Sequence, residues 1–282
     1  MIKKDKFKRV IILGSNSFIA KSVMSYLKLK KVEIIQISRK QINFYKKESV
    51  KKLNNLVRND DIIFLAAAKA PVKNIHMFNY NMKIIENIVE SLKNIKIKKF
   101  IYLSSDAVYK DSKKLINENS SCEPDSLHGL MHLTREKYLE SFYSNKICIV
   151  RPTLVYGKND PHNGYGPNMF LRKAFNNQNI LLFGKGEERR DHVHIEDVGK
   201  IICFLILNNL NGKFNITTGN LLSFKQIALM IKKTINPNIN IEYKKRNGPM
   251  PHNGYRAFGN QKILKRFKGF KFKKINQWLS EV

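Results

Sequence analysis

The sequence predicts an α/β fold built on a parallel sheet, and three observations carry that prediction. Short runs of Val, Ile and Leu alternate with stretches of helical periodicity through the first half of the chain. Those runs are apolar without polar alternation, as in strands covered on both faces. The first of them ends at Gly14 and leads straight into a helix.

In order, Val10–Leu13 reads as the first strand and Phe18–Leu29 as the helix after it. Val32–Ser38 is the second strand, followed by a helix over Glu48–Arg58. Asp61–Ala67 and the helix Tyr80–Leu92 repeat the pattern, as do Phe100–Ser104 and the long helix Leu127–Tyr143. Ile147–Arg151 is the fifth strand. Beyond Pro152 the texture changes. Residues 157–167 are rich in Gly, Asn and Pro, and Met169–Asn176 reads as a helix. Val193–Ile195 and Asp197–Leu207 read as a further strand and helix of the first domain. From Lys213 onward the chain holds a helix over Phe224–Thr234 and a basic, Gly- and Pro-containing tail. The expected organisation is a domain over 1–157, rejoined by about 190–210, and a smaller lobe over 158–282.

The formal charge of +30 raises the question of a polyanionic partner. The composition supplies a plainer cause. Lys, Asn and Ile number 41, 31 and 33, residues that share A/T-rich codons, and Lys outnumbers Arg 41 to 11. Readers of phosphate backbones often favour the arginine fork. The lysines are scattered, with short clusters only at Lys3–Arg9, Lys244–Arg246 and Lys271–Lys274. No nucleic-acid partner is therefore expected. Apolar runs such as Ile201–Leu207 are far short of the ~20 residues of a bilayer span, and the run after the basic N-terminus stops at Gly14, too early for a secretory leader. The expectation is a cytoplasmic protein without a membrane partner. Three scattered cysteines, Cys122, Cys148 and Cys203, exclude a disulfide scaffold and a CxxC metal site.

Gly14-Ser-Asn-Ser-Phe-Ile-Ala20 follows a strand and opens a helix, the setting of a dinucleotide fingerprint. Gly14 makes the tight turn, and the helix N-terminus offers free N–H groups to a pyrophosphate. Ser17 and Ala20 hold the second and third small positions. At the end of the second strand a carboxylate would accept the ribose 2′-hydroxyl. This chain has Ser38-Arg39-Lys40 there, a hydroxyl and two cations, which favours a 2′-phosphate and so NADP(H) over NAD(H).

Seven segments taken together resemble the extended short-chain dehydrogenase/reductase family, in its nucleotide-sugar epimerase/dehydratase group. They are Gly14–Ala20, Asp61–Ala67, Asn81, Phe100–Tyr109, Pro124–Glu136, Arg151–Gly157 and Arg190–Asp197, in family order over about two hundred residues. The resemblance implies a doubly wound Rossmann domain with a small C-terminal substrate lobe. It also implies a nicotinamide cofactor, a nucleoside-diphosphate sugar as substrate, a role in surface polysaccharide biosynthesis, and a homodimer formed through the helices Tyr80–Leu92 and Leu127–Tyr143. By the same resemblance Gly14, Ser17, Phe18, Ile19, Ser38, Arg39, Ala66, Ala67 and Asn81 face the cofactor. Asn168, Arg190 and Arg256 face the sugar nucleotide.

The catalytic set departs from the family pattern. Ser105 keeps the Ser/Thr place, but the usual Tyr-x-x-x-Lys is replaced by His128 and His132 in Pro124-Asp-Ser-Leu-His-Gly-Leu-Met-His132. Positions i and i+4 share a helix face. A tyrosine needs a neighbouring cation to act as a base at neutral pH, whereas an imidazole titrates near 6.5 unaided. The pair is therefore self-consistent, with His128 as acid/base, His132 beside the ribose, and Glu136 placed to hold the second ring. The base position of the 4,6-dehydratases is Ala107, which disfavours elimination and leaves C4 redox, as epimerase or 4-keto reductase. His192-x-His194 with Glu196 and Asp197 could suggest a metal, but the resemblance places this run on a strand feeding a helix with alternate residues facing the same way, and the ligands would still need a cleft, so no metal is expected. Loss of Tyr and Lys leaves one alternative open, a catalytically degenerate NAD(P)-binding regulatory or scaffold protein.

Overall fold

A computed structural model describes residues 9–282; the basic segment 1–8 lies outside the described residues. The elements run β1 (Val10–Leu13), α1 (Phe18–Leu29), β2 (Ile34–Ile37), α2 (Ser49–Leu56), β3 (Ile62–Leu65), α3 (Ile75–Leu92), β4 (Lys99–Leu103), α4 (Leu127–Tyr143) and β5 (Ile147–Pro152). They continue with β6 (Leu154–Tyr156), α5 (Pro167–Phe175), β7 (Ile180–Phe183), β8 (Arg189–His194), α6 (Ile195–Leu207) and β9 (Gly212–Ile216). The last are β10 (Leu221–Ser223), α7 (Phe224–Thr234), β11 (Ile241–Lys244), β12 (Tyr255–Arg256), α8 (Gln261–Arg266) and α9 (Ile275–Leu279).

The chain divides into two compact units. The first holds residues up to Lys110, Ser120–Pro152 and Val198–Phe214; the second holds Asp111–Asn119, Thr153–Asp197 and Asn215–Val282. The first is built on a sheet of order β2-β1-β3-β4-β5-β9, the doubly wound Rossmann arrangement. Strand order reverses between β1 and β3, which pair in parallel with Leu13 beside Leu65. Every residue of β1 and β3 is buried, which explains their unbroken apolar runs. Helix α1 starts where Ser17 caps it, its side chain accepting from the Ala20 N–H. Helix α4 starts in the same way on Ser126, which accepts from Gly129 N–H.

The second unit gathers around Phe170, Leu182, Phe224, Ile227, Ile231 and Trp278. Its larger sheet runs β10-β8-β12, with β6 beside β8, and β7 pairs with β11 in a separate ribbon. Two expectations change here. The strand read at 193–195 is the end of β8 and belongs to this second sheet. The sixth strand of the main sheet is instead β9, whose Gly-Lys-Phe-Asn-Ile sequence carries polar residues because it lies at the sheet edge.

Candidate active site

The carboxyl ends of β1 and β3 flank a cavity of about 400 Å³ lined by Gly14, Asn16, Ser17, Arg39, Phe44, Ala66–Ala70 and Tyr80, among others. This is the switch point of the strand order, where open α/β sheets bind ligands. Gly14 has φ +90, and a Cβ there would lie 2.7 Å from the Ala67 nitrogen, so only glycine lets the two strand ends meet. Phe18 and Ile19 form the first turn of α1, whose backbone N–H groups have no helical acceptor. Among the described residues no acidic side chain lines the cavity. Phosphate-ready N–H groups, a glycine turn and an acid-free wall fit a dinucleotide.

Arg39 reaches over Tyr80, 5.7 Å from the ring centroid, and Lys69 stands 5.2 Å from the same ring. Tyr80 in turn stacks on Tyr45 at 4.4 Å. Ser38 behaves differently: its hydroxyl donates to Gln41 Oε1 at 2.7 Å and does not line the cavity. Asn81 does not line it either. Its Oδ1 accepts from Lys69 N–H at 2.9 Å, and its Nδ2 donates to the Lys69 and Met77 carbonyls. These bonds tie Asn81 to Lys69 on the Ala66–Ala70 wall.

The same wall continues to Val72, whose N–H donates to His128 Nδ1 at 3.4 Å. That bond leaves the proton of neutral His128 on Nε2. Burial lowers the His128 pKa, opposed by the nearby Asp106 carboxylate. His132, one turn further on, meets His128 edge to face with ring centroids 4.8 Å apart. It is buried at 6% exposure, and its Nδ1 lies 2.7 Å from Tyr102 Oη. Burial, then the charges of His128 and Arg135, push its pKa well below the ordinary histidine value. The expected bond from Glu136 is absent. Glu136 is instead taken by Arg151, which donates through Nε at 2.8 Å and also through Nη2, and by Ser104 Oγ at 2.5 Å. A buried carboxylate pairs with the nearest guanidinium before it serves a neutral ring.

Ser105 caps the helical turn Asp106–Val108, accepting from Ala107 N–H at 3.2 Å. Helix α4 presses on this turn: a Cβ on Gly129 would lie 2.1 Å from the Ala107 carbonyl oxygen. The glycine after His128 therefore brings the helix start against the Ser105 turn.

In the second unit, Asn168 begins α5 with Oδ1 accepting from Gly157 N–H at 3.0 Å and Nδ2 donating to Asp160 at 2.9 Å. Arg190 Nη1 pairs with Glu188 at 3.3 Å, and Arg246 pairs with the same carboxylate at 3.5 Å. Two guanidiniums on one carboxylate leave a net positive group. Arg256 is buried against Asp111, with His252 Nδ1 2.8 Å from its Nη1. His192 packs on Phe224 and His194 on Tyr156 and Trp278, with His194 Nδ1 4.0 Å from a Glu196 carboxylate oxygen. Sequence reasoning missed Tyr80 and Lys69 on the cavity, Tyr102 and Arg135 beside His132 and the cavity wall, and, in the second unit, Arg246 on Glu188; strand pairing and helix packing within each unit bring these side chains to their partners.

Residues 10–217 match the family described as "NAD dependent epimerase/dehydratase family", and the chain belongs to that family. A Methanocaldococcus jannaschii protein provisionally named UDP-glucose 4-epimerase is 33% identical over 156 residues, 53% of this chain and 51% of that one. The dTDP-D-glucose 4,6-dehydratase of Dictyostelium discoideum is 26% identical over 283 aligned positions, covering 84% of this chain and 64% of its own. The chain thus spans between half and two thirds of the length of these relatives. Among solved structures, the UDP-glucose 4-epimerase of Thermotoga maritima with UDP-glucose superposes with a TM-score of 0.83 at 22% identity, covering 96% of each chain, a likeness of fold. Among the described residues no helix is long and apolar enough to cross a membrane.

Proposed function

We propose that this chain is a nicotinamide-dependent enzyme acting at C4 of a nucleoside-diphosphate sugar, as a 4-epimerase or 4-keto reductase. One observation carries the reading: the wall of the dinucleotide cavity runs directly into the backbone N–H that fixes the His128 ring. The dinucleotide, when bound, supplies hydride acceptance and return. Gly14, Ser17 and the first turn of α1 hold its pyrophosphate, and Arg39 favours NADP(H) by meeting a 2′-phosphate. Ser105 donates to the C4 oxygen. His128 Nε2 carries the proton exchanged with that oxygen, and its lowered pKa keeps the neutral ring available near pH 7. Arg190 and Arg246 hold the diphosphate through the net positive charge they share over Glu188. Asn168 and Arg256 are ordered by their own partners and shape the sugar-nucleotide side. Ala107, where an elimination would need an acid or base, argues against dehydration. A homodimer through α3 and α4 is supported by exposed Leu130 and Phe142 on α4.

The test is turnover of UDP-hexoses and 4-keto nucleotide sugars with NAD⁺ and NADPH, in the native chain and in His128→Phe. The variant should lose ~10²- to 10⁴-fold in turnover, the usual contribution of a general acid/base, with dinucleotide affinity within a few-fold. Full activity in the variant overturns the role. Tight dinucleotide binding without turnover of any sugar would make the chain a binding protein instead.

A further inference from the structure

The second unit sets two arginines side by side. Strand β12 pairs in parallel with β8, and the register puts Arg256 beside Arg190. Like charges on adjacent strands repel, so each guanidinium needs an anion. Arg190 has Glu188 and shares it with Arg246. Arg256 has Asp111. The segment 111–119 that delivers Asp111 is laced to the chain after β12: Ile116 N–H donates to the Ala257 carbonyl at 2.9 Å, and Gly259 N–H to the Ile116 carbonyl at 2.8 Å. Three guanidiniums thus face two carboxylates, leaving one net positive charge. Arg246 Nε is buried with no hydrogen-bond partner among the described residues, a donor still to be used.

His252 completes the cluster. It lies on the turn Pro251–Gly254 ahead of β12, with φ +52 in the left-handed region. Its Nδ1 is 2.6 Å from Asp111 Oδ1. A carboxylate only accepts, so Nδ1 carries a hydrogen. Arg256 Nη1 donates to the same oxygen, which brings the two donors within 2.8 Å of each other. In the neutral ring the lone pair is then on Nε2, and a second proton would make Nε2 a donor. The side chain keeps 29% of its surface exposed, enough to meet a ligand. The charged groups that face the ring are Arg190 from β8, Arg256 from β12 and Asp111 from the 111–119 segment. Burial, then Arg190 and Arg256, lower its pKa, and Asp111 opposes them, so the ligand-free ring is mostly neutral near pH 7. An oxyanion placed against Arg190 tips that balance toward the charged ring.

We propose that His252 is a further binding residue of the sugar-nucleotide site, taking up a proton when the diphosphate binds and donating through Nε2 to a phosphate oxygen beside Arg190. The assignment rests on the function proposed above. With that proton the cluster holds two net positive charges, matching in opposite sign the two of a sugar nucleotide's diphosphate. The complex then binds more protons than the free chain, so affinity rises as pH falls through the midpoint of the bound ring.

Calorimetric titration of the full-length chain with UDP-glucose, whose phosphates stay ionised throughout, reads this linkage. Affinity should rise about ten-fold from pH 8 to pH 6, the effect of one proton. His252→Asn keeps a residue that tolerates the left-handed backbone and leaves an amide N–H for Asp111, with nothing in the place of Nε2. It should show no such rise and bind about ten-fold more weakly than the native chain at pH 6. All other titrating groups are shared, so the comparison isolates His252. A native affinity that does not change with pH overturns the proposal, and so does an equal rise in folded His252→Asn. Sulfate, an oxyanion that does not titrate here, separates this proposal from the reaction assigned above. Followed by long-range ¹H–¹⁵N correlation in histidine-labelled native chain, sulfate should raise the midpoint of the His252 titration by about one pH unit. An unmoved midpoint overturns the oxyanion site. A raised midpoint in a chain that does not bind UDP-glucose would overturn the sugar-nucleotide reading while the oxyanion site stood.

Discussion

The two ends of the main sheet bury the same kinds of charge and use them differently. At the amino ends of the strands, Arg9 donates to both oxygens of Asp61 through Nε at 3.0 Å and Nη2 at 3.1 Å. The Lys99 ammonium is buried nearby in the sequence of β4 with no hydrogen-bond partner among the described residues. At the carboxyl ends, Arg151 and Glu136 form the equivalent paired couple, and Arg135 is the cation without a carboxylate among the described residues. The paired couples are alike. The unpaired cations differ, because Arg135 Nη2 donates to the Ala67 carbonyl on the cavity wall and its guanidinium lies 5.1 Å from the Tyr102 ring centroid, whereas the Lys99 ammonium has no hydrogen-bond partner among the described residues. A buried charge alone therefore does not mark a site. A buried charge bonded to the wall of a cavity does.

The largest effects should come from breaking the paired couples. Glu136→Gln and Asp61→Asn each strand a buried guanidinium, and each should cost ~3–5 kcal/mol in urea unfolding. The two should part company in ligand binding. Glu136→Gln also releases Ser104 and the α4 face beside His132, so its dinucleotide affinity should fall, measured at a temperature where it remains folded. Asp61→Asn should bind normally. Equal binding loss in both would show that the ends are not functionally distinct.

A smaller effect is expected where α4 meets the Ser105 turn. In Gly129→Ala the new methyl would sit 2.1 Å from a backbone carbonyl oxygen and 2.7 Å from Pro124 Cβ. Backbone does not yield as a flexible side chain does, so the cost should approach ~3 kcal/mol, the upper end for overpacking. The displaced turn should also lower turnover more than cofactor affinity. Gly164→Ala, with nothing within 4 Å of its Cβ, is the control and should change neither.

How much of this was legible in the sequence depends on the range of the interaction. Helices α1 and α4 read to the residue because periodicity and neighbouring polar caps agree. Helix α3 begins at Ile75, five residues ahead of the sequence reading, because Asn79 and Asn81 interrupt the apolar pattern while Asn74 supplies the cap. Strands β6, β7 and β9 were unread, being three to five residues long and stabilised by partners far away in sequence. The proximity of His128 and His132 followed from helical spacing alone. Tyr102 and Arg135 did not announce themselves, because only the packing of α4 on β4 brings a strand phenol to a helix imidazole. For the same reason helical spacing sets Glu136 one turn from His132 but carries no sign of Arg151, which arrives from β5 and takes the carboxylate.

The unpaired cation at the amino end supplies the finest test, since its effect has a predictable sign with pH. Burial lowers the Lys99 pKa to about 8 from an ordinary 10.5. Between those values the unfolded chain holds a proton that the folded chain has released, so stability rises with pH across that window. Below it both states are charged, and the folded state bears the full desolvation cost. Lys99→Met removes that cost and keeps the straight apolar stem, so it should gain ~2 kcal/mol at neutral pH. The gain should shrink as pH rises from about 8 toward 10.5, where the native lysine is neutral in both states. The remaining lysines titrate in both proteins and cancel in the difference. A gain that stays constant with pH would mean that the ammonium is solvated, and the contrast between the two ends of the sheet would lose its amino-terminal half. Dinucleotide binding by Lys99→Met should match the native chain throughout, since nothing at that end of β4 reaches the cavity.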